Sequence, residues 1–291
     1  MKYFTFFLVL FFLSLNGCKP SDNKEEIVTT IYPFKSILQE VAGNRFEVRS
    51  ILPPGADPHT YEMLPSDFQA IQNSKVFFYG SSALDGWAAN INVNNKIELL
   101  SLVPKEYLLN IQVHQKGKHE ENFGVDPHFW TDPLTVKATL PQIVNEFTRI
   151  DPEGEKIYRK NALDFSEKLD QLDSLVKTET LSIKYKNVFT AHPFYSYFFT
   201  RYGFNVVGSL EIAPGSQPTP KDIENLINLV KDQNVKAIFT LQQESDKPAR
   251  VLAESAGIKV YTLDPMGGVK GRTTYEEMIL YNFSIIKDAL K

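Results

Sequence analysis

The sequence holds a single cysteine, Cys18, in 291 residues. No disulfide can form within the chain, so its stability must come from packing, hydrogen bonding or a bound ion. Basic runs are also missing, and the formal net charge is −4. Nucleic acid is excluded as a partner on that ground, because phosphates call for clustered lysine and arginine. Three signatures of enzyme or nucleotide chemistry are absent: H-E-x-x-H, the G-x-S-x-G nucleophile turn and the G-x-x-x-x-G-K-[ST] phosphate loop. Histidine is scarce, with five in the chain.

One long apolar run exists, at the start. Lys2 precedes residues 3–15, a run of large apolar side chains broken only by Thr5 and Ser14. It falls short of the roughly 20 residues of a membrane-spanning helix. Residues 1–17 read as a secretion signal. Leu15-Asn16-Gly17-Cys18 places a small residue ahead of the cysteine, as at a bacterial lipoprotein processing site, although Asn16 stands where a small residue is usual. Cys18 is then the lipidated N-terminus; the alternative is an uncleaved anchor. Both place the protein outside the cytoplasmic membrane, in the periplasm or at the cell surface. Residues 18–26 read as a polar tether.

Strand and helix signals alternate behind the tether. Short β-branched or aromatic runs at 27–31, 46–52 and 76–79 predict strands, with helical patterns from Pro33, over 65–73 and over 85–90 between and after them. Residues 110–125 are polar and predict an irregular loop. Helical periodicity covers 135–181, interrupted at Asp151-Pro152. The alternation restarts with strands at 188–190, 206–207, 236–240 and 258–263, and with helices at 194–202, from Thr219-Pro220, over 247–256 and over 275–290. The expected fold is α/β: two lobes, each a mainly parallel sheet flanked by helices, joined by one long rigid helix. The boundaries are 27–150 for the first lobe, 151–182 for the linking helix and 183–291 for the second.

Three histidines stand where a strand gives way to a loop or helix. His59 follows the rigid stretch Pro53-Pro54-Gly55-Ala56-Asp57-Pro58. His128 sits in Asp126-Pro127-His128-Phe129-Trp130-Thr131-Asp132-Pro133. His192 precedes Pro193 after the 188–190 strand. Ligands of open α/β sheets bind outside the carboxyl ends of strands. Three imidazoles meeting there would make a nitrogen-rich metal site in the cleft between lobes, with Asp264, after the 258–263 strand, as a fourth candidate. Each histidine alone reads more readily as a hydrogen-bonded structural residue; it is the three together, in a shared X-Pro context, that bring a metal site level with that reading.

The four segments together resemble the zinc/manganese solute-binding proteins of bacterial ABC importers, the high-affinity zinc-uptake group. The residues that carry the resemblance are 52–62, Asp126–Pro133, Ala191-His192-Pro193-Phe194-Tyr195-Ser196-Tyr197-Phe198 with Tyr202-Gly203, and Leu263-Asp264-Pro265-Met266-Gly267. Met63 departs from a common proline, Phe194 from a common alanine and Thr131 from a common aliphatic residue. The resemblance implies a monomeric, lipid-anchored binding protein that captures Zn2+ and delivers it to a permease. It implies His59, His128 and His192 as ligands, and Asp264 less securely, since water or another carboxylate fills that place in some zinc members. A histidine at the third motif, where manganese members carry a carboxylate, favours zinc, in keeping with imidazole's preference. His114 and His119 occupy the place of a histidine-rich loop found in zinc members.

Asp57, Glu62, Asp126 and Asp132 are candidates to orient the imidazoles, helix capping being the ordinary alternative for Asp132 and Glu62. Glu211 lines the cleft or is a surface charge; the sequence does not decide. Two other classes stand beside transport. A three-histidine site with an open position is also the layout of a zinc hydrolase, with Glu62 or Glu244 as base. A surface adhesin is the other. Within transport, Mn2+ or Fe2+ is the competitor of Zn2+.

Overall fold

The computed structural model describes residues 25–112, 122–211 and 218–291. The first lobe contains β1 (Glu26–Thr29), α1 (Tyr32–Ala42), β2 (Glu47–Ser50), α2 (Pro65–Asn73), β3 (Val76–Tyr79), the single turn α3 (Gly86–Ala89) and β4 (Lys96–Glu98). Its sheet is parallel, in the order β2-β1-β3-β4. Ile27, Val28 and Thr29 of β1 and Val76, Phe77 and Phe78 of β3 are buried, as in strands covered on both faces. α1 buries Phe34, Ile37, Leu38 and Val41, a spacing of three and four that makes one apolar stripe. It stops at Gly43, whose φ of 59° suits glycine.

Two features differ from the sequence expectation. β4 joins the sheet although only one of its three residues is apolar, so periodicity carries no signal for it. The predicted loop 110–125 is bounded by an antiparallel ribbon of β5 (Asn110–Gln112) and β6 (Asn122–Val125). Its polar asparagines and glutamine lack the β-branched character that marks a strand. His114 and His119 lie outside the described residues, as does Cys18.

α4 (Pro133–Ile150) and α5 (Glu155–Thr180) follow, separated by a turn at Pro152–Gly154. α5 has 26 residues, about 39 Å at 1.5 Å per residue. Its buried side chains are Tyr158, Ala162, Phe165, Leu169, Leu172 and Val176. Through that stripe it packs on α1 and α4 of the first lobe.

The second lobe holds β7 (Asn187–Thr190), α6 (Ser196–Arg201), β8 (Asn205–Ser209), α7 (Pro220–Asp232), β9 (Ala237–Leu241), α8 (Lys247–Ala256), β10 (Lys259–Leu263) and α9 (Tyr275–Ala289). Its sheet is parallel, in the order β10-β9-β7-β8. α7 begins with a capping box: the Thr219 hydroxyl accepts from the Asp222 amide, and the Asp222 carboxylate accepts from the Thr219 amide. α9 packs on α5, so the long helix contacts both lobes.

One apolar cluster runs from Ile27 through Trp130 and Phe165 to Phe283, so the lobes share a core. Polar ties reinforce it. The Tyr32 hydroxyl donates to the Thr273 carbonyl at 2.9 Å and the Tyr275 hydroxyl to the Trp130 carbonyl at 2.8 Å. Arg201 grips the Asp132 carboxylate at 2.7 Å. Gly268, at φ 78°, lies so close to Tyr32 that a Cβ would stand 2.8 Å from its ring. Many separate contacts thus hold the lobes in one arrangement.

Candidate metal centre

A repeated local design builds the site. In Asp57-Pro58-His59, Oδ1 of Asp57 accepts the His59 amide at 2.9 Å. In Asp126-Pro127-His128, Oδ1 of Asp126 accepts the His128 amide at 2.9 Å. Asp132 does the same for Leu134, and Asp264 for Met266, both at 3.0 Å. The middle proline fixes φ and offers no N–H, so the carboxylate closes a turn onto the residue beyond. In two of the four turns that residue is histidine, held by a stiff backbone. Trp87 steadies the first turn by donating its indole N–H to the Pro58 carbonyl at 3.2 Å.

The third histidine comes from the other lobe. His192 stands two residues past β7, and the Ala191 amide ahead of it donates to the Phe239 carbonyl at 2.8 Å. The rings of His59 and His128 are 5.8 Å apart, those of His59 and His192 5.4 Å, and those of His128 and His192 5.2 Å. One nitrogen of each lies within 4.8 Å of the others. Nitrogens on a tetrahedral zinc stand about 3.3 Å apart, from Zn–N of about 2.0–2.1 Å. The triangle is therefore wider than a bound geometry by at most about 1.5 Å.

The protonation states suit a cation. Nδ1 of His128 meets Oδ1 of the buried Asp126 at 2.7 Å. An ionised carboxylate only accepts, so this bond places the proton on Nδ1 and leaves the Nε2 lone pair for an ion. Burial, then the neighbouring His128, hold the His59 imidazole below the usual histidine range, even though part of the residue reaches solvent. Burial pushes His192 well below that range, with His128 and His59 adding to the effect. Neutral imidazoles at ordinary pH are what metal binding needs.

Carboxylates rim the site. Oε2 of Glu211 is 3.4 Å from Nε2 of His192. The Glu244 carboxyl is pushed up to about 7, first by loss of solvent and then by the charges of Glu211 and Asp57, although its side chain still reaches the surface. Such a cluster attracts divalent cations. The sequence offered a pointer to both residues: Glu211 follows β8 by two positions and Glu244 follows β9 by three, the same strand-end placement that singled out His192.

Other candidates have different roles. Asp264 does not join the imidazoles: Oδ1 accepts the amides of Met266 and Gly267, and Oδ2 lies 2.9 Å from Nε of Arg272. Asp132 caps α4 and binds Arg201. Glu62 is exposed. Asp57 closes its turn and also accepts from the Thr60 hydroxyl at 3.0 Å. Of the four orienting candidates, Asp126 is the one seen to bond an imidazole among the described residues.

Comparison with known proteins gives the same picture. The family model described as zinc-uptake complex component A, periplasmic, matches residues 27–289. The high-affinity zinc uptake system protein ZnuA of Bacillus subtilis is 25% identical over 285 residues, covering 92% of this chain and 88% of its own. The manganese-binding lipoprotein MntA of Halalkalibacterium halodurans is 28% identical over 294 residues, covering 96% of this chain and 95% of its own. A Zn(II)-bound variant of AdcAII from Streptococcus pneumoniae superposes with a TM-score of 0.78 at 29% identity, covering 92% of this chain and 99% of that one. The chain belongs to the zinc-uptake complex component A family, the extracytoplasmic metal-binding components of import systems.

Proposed function

We propose that this protein captures Zn2+ outside the cytoplasmic membrane and delivers it to the permease of an ABC importer, with His59, His128 and His192 as ligands. The observation that carries the reading is the convergence of three imidazoles from two lobes within 4.8 Å. Nitrogen ligands suit zinc, whereas manganese prefers oxygen-rich sites. Delivery is one-way binding and release, for which two lobes flanking a shared site suffice. Cys18 carries the lipid, and the protein acts as a monomer.

Manganese is the second reading, favoured by the similarity to a manganese-binding lipoprotein and by the carboxylates at the rim. Competition decides between them. The soluble form from Ser21 onward is stripped of metal and titrated with zinc in the presence and absence of manganese. Zinc bound one-to-one and undisplaced by excess manganese supports the proposal; tighter manganese binding transfers the same role to that ion. Replacement of Cys18 by serine in the full chain should release the protein from the membrane fraction.

A further inference from the structure

We propose that a groove at the outer end of the second lobe, where β9 and β10 begin, binds a phosphate ester through Lys231, Lys236 and Lys259. The groove is at the amino ends of the parallel strands, whereas His192 follows a carboxyl end. Strands of five residues separate the two ends by about 16 Å. The site is therefore independent of metal capture.

Two helix ends of one design build it. After α7 the chain turns at Asn234, and after α8 at Gly257, both with left-handed backbone, φ 52° and 72°. In each turn the next amide closes back onto the helix: Val235 onto the Val230 carbonyl and Ile258 onto the Ala253 carbonyl, both at 3.0 Å. The residue after that is lysine in both, Lys236 and Lys259, at the entry to a strand. β9 and β10 pair in parallel with Ala237 opposite Lys259, so the two lysines enter the sheet side by side. Lys231 adds a third from the last turn of α7. The cavity that these lysines line has a volume of about 470 Å3, with Val235, Ile258 and Tyr261 among its walls.

These cations lack counter-charges. Lys75, Lys137, Lys168 and Lys287 each reach a carboxylate within 3.0 Å. Among the described residues, Lys231, Lys236 and Lys259 reach none. Lys236 lies instead over the Tyr185 ring, 5.0 Å from its centre, and Lys184 lies over the same ring at 5.1 Å. Attraction to a helix end accounts for Lys231 alone, since the other two stand in the strand entries. In a chain of net charge −4, this end reverses the local sign and gathers anions. Lysine binds phosphate as a point charge, and three lysines suit a monoester's charge of about −2 and its three acceptor oxygens. The cavity is of the size of pockets for small organic ligands, about 300–1,000 Å3, so it has room for more than the phosphate. Its apolar and aromatic walls receive the organic part.

The test is calorimetry on metal-free protein from Ser21 onward, which keeps both sheets and their shared core, with inorganic phosphate and phenyl phosphate as probes. One phenyl phosphate per chain, bound more tightly than inorganic phosphate, is expected. Lys231→Gln and Lys259→Gln, both at exposed positions, should each weaken it about tenfold or more, with melting temperature and zinc binding unchanged. No saturable binding, or binding unaltered in both variants, would overturn the proposal. Sulfate bound as tightly as phenyl phosphate would overturn it too, as unselective attraction of anions, and phenyl phosphate bound no tighter than inorganic phosphate would remove the ester. Vesicles of phosphatidylcholine with and without phosphatidic acid identify the source. Sedimentation with phosphatidic acid alone, abolished by Lys259→Gln, assigns the phosphate to a lipid headgroup; phenyl phosphate binding without it assigns a soluble ester.

Discussion

The indole N–H of Trp130 donates to the carbonyl oxygen of Pro265 at 2.9 Å, tying the turn that carries His128 to the loop after β10 in the opposite lobe. Both groups are buried, and Trp130 packs edge-on against Phe34 with ring centres 5.3 Å apart. Trp130→Phe keeps an aromatic ring and strands the Pro265 carbonyl. A loss of about 1–3 kcal/mol is expected, with weaker zinc binding because the His128 turn loses its brace. Urea unfolding and zinc titration check this; unchanged values in both would show that the tie neither stabilises nor positions.

Asp126 holds both the amide and Nδ1 of His128, and the Tyr197 hydroxyl donates to the Asp126 carbonyl at 2.9 Å. Asp126→Asn retains the size of the side chain and loses the charge that fixes the imidazole tautomer. Zinc affinity should fall about 10–100-fold. An equal affinity in a competition titration would mean that the second nitrogen's partner is irrelevant here.

Acid sensitivity follows from the lowered histidines. In the fold, His59 and His192 titrate below the ordinary value of 6.5, because the fold disfavours their charged forms. Each therefore contributes stability that is present above pH 6.5 and is lost as pH falls from there through the lowered folded values. The metal-free protein should melt progressively lower as pH falls below 6.5. Replacing both by glutamine should flatten that decline, and a parallel decline in the variant would assign it to other groups. Zinc binding should persist at pH 6.5 and fail at more acid pH, when protons compete for the nitrogens.

Glu244 titrates in the opposite sense. Its carboxyl is raised to about 7 from 4.5, so it is partly protonated at neutral pH. Its ionisation in the fold is disfavoured; that cost is absent below pH 4.5, grows as pH rises from there towards 7, and is constant above it. A cation bound beside the neighbouring carboxylates removes the cost and expels the proton. Zinc binding at pH 7 should release about half a proton, read from calorimetry in buffers of different ionisation enthalpy. Glu244→Gln should abolish the release; undiminished release would place the proton elsewhere.

The architecture was legible because its strands and helices are locally marked. β1, β3 and β9 are apolar runs, and Pro33, Pro65 and Pro220 sit in the first turn of the helices they open. β4 and the β5–β6 ribbon were not, since each strand is only three or four residues long and mixes one or two apolar residues with polar ones or glycine, too little for a period to show. The three histidines could be picked by their place after strands and beside prolines. The role of Asp264 could not: sequence shows a carboxylate at a strand end, but not that Arg272, eight residues on, faces it. The same limit applied to Glu211, whose position beside His192 is set by the register between β7 and β8.

The central claim is that His59, His128 and His192 form one zinc site. Metal-free protein from Ser21 onward is titrated with zinc beside the single alanine variants of the three histidines, each first shown by circular dichroism to be folded. One zinc per chain in the wild type, with strong loss of affinity in all three variants, is the predicted result. Affinity unchanged in any one of them would remove that histidine from the site, and affinity unchanged in all three would contradict the account.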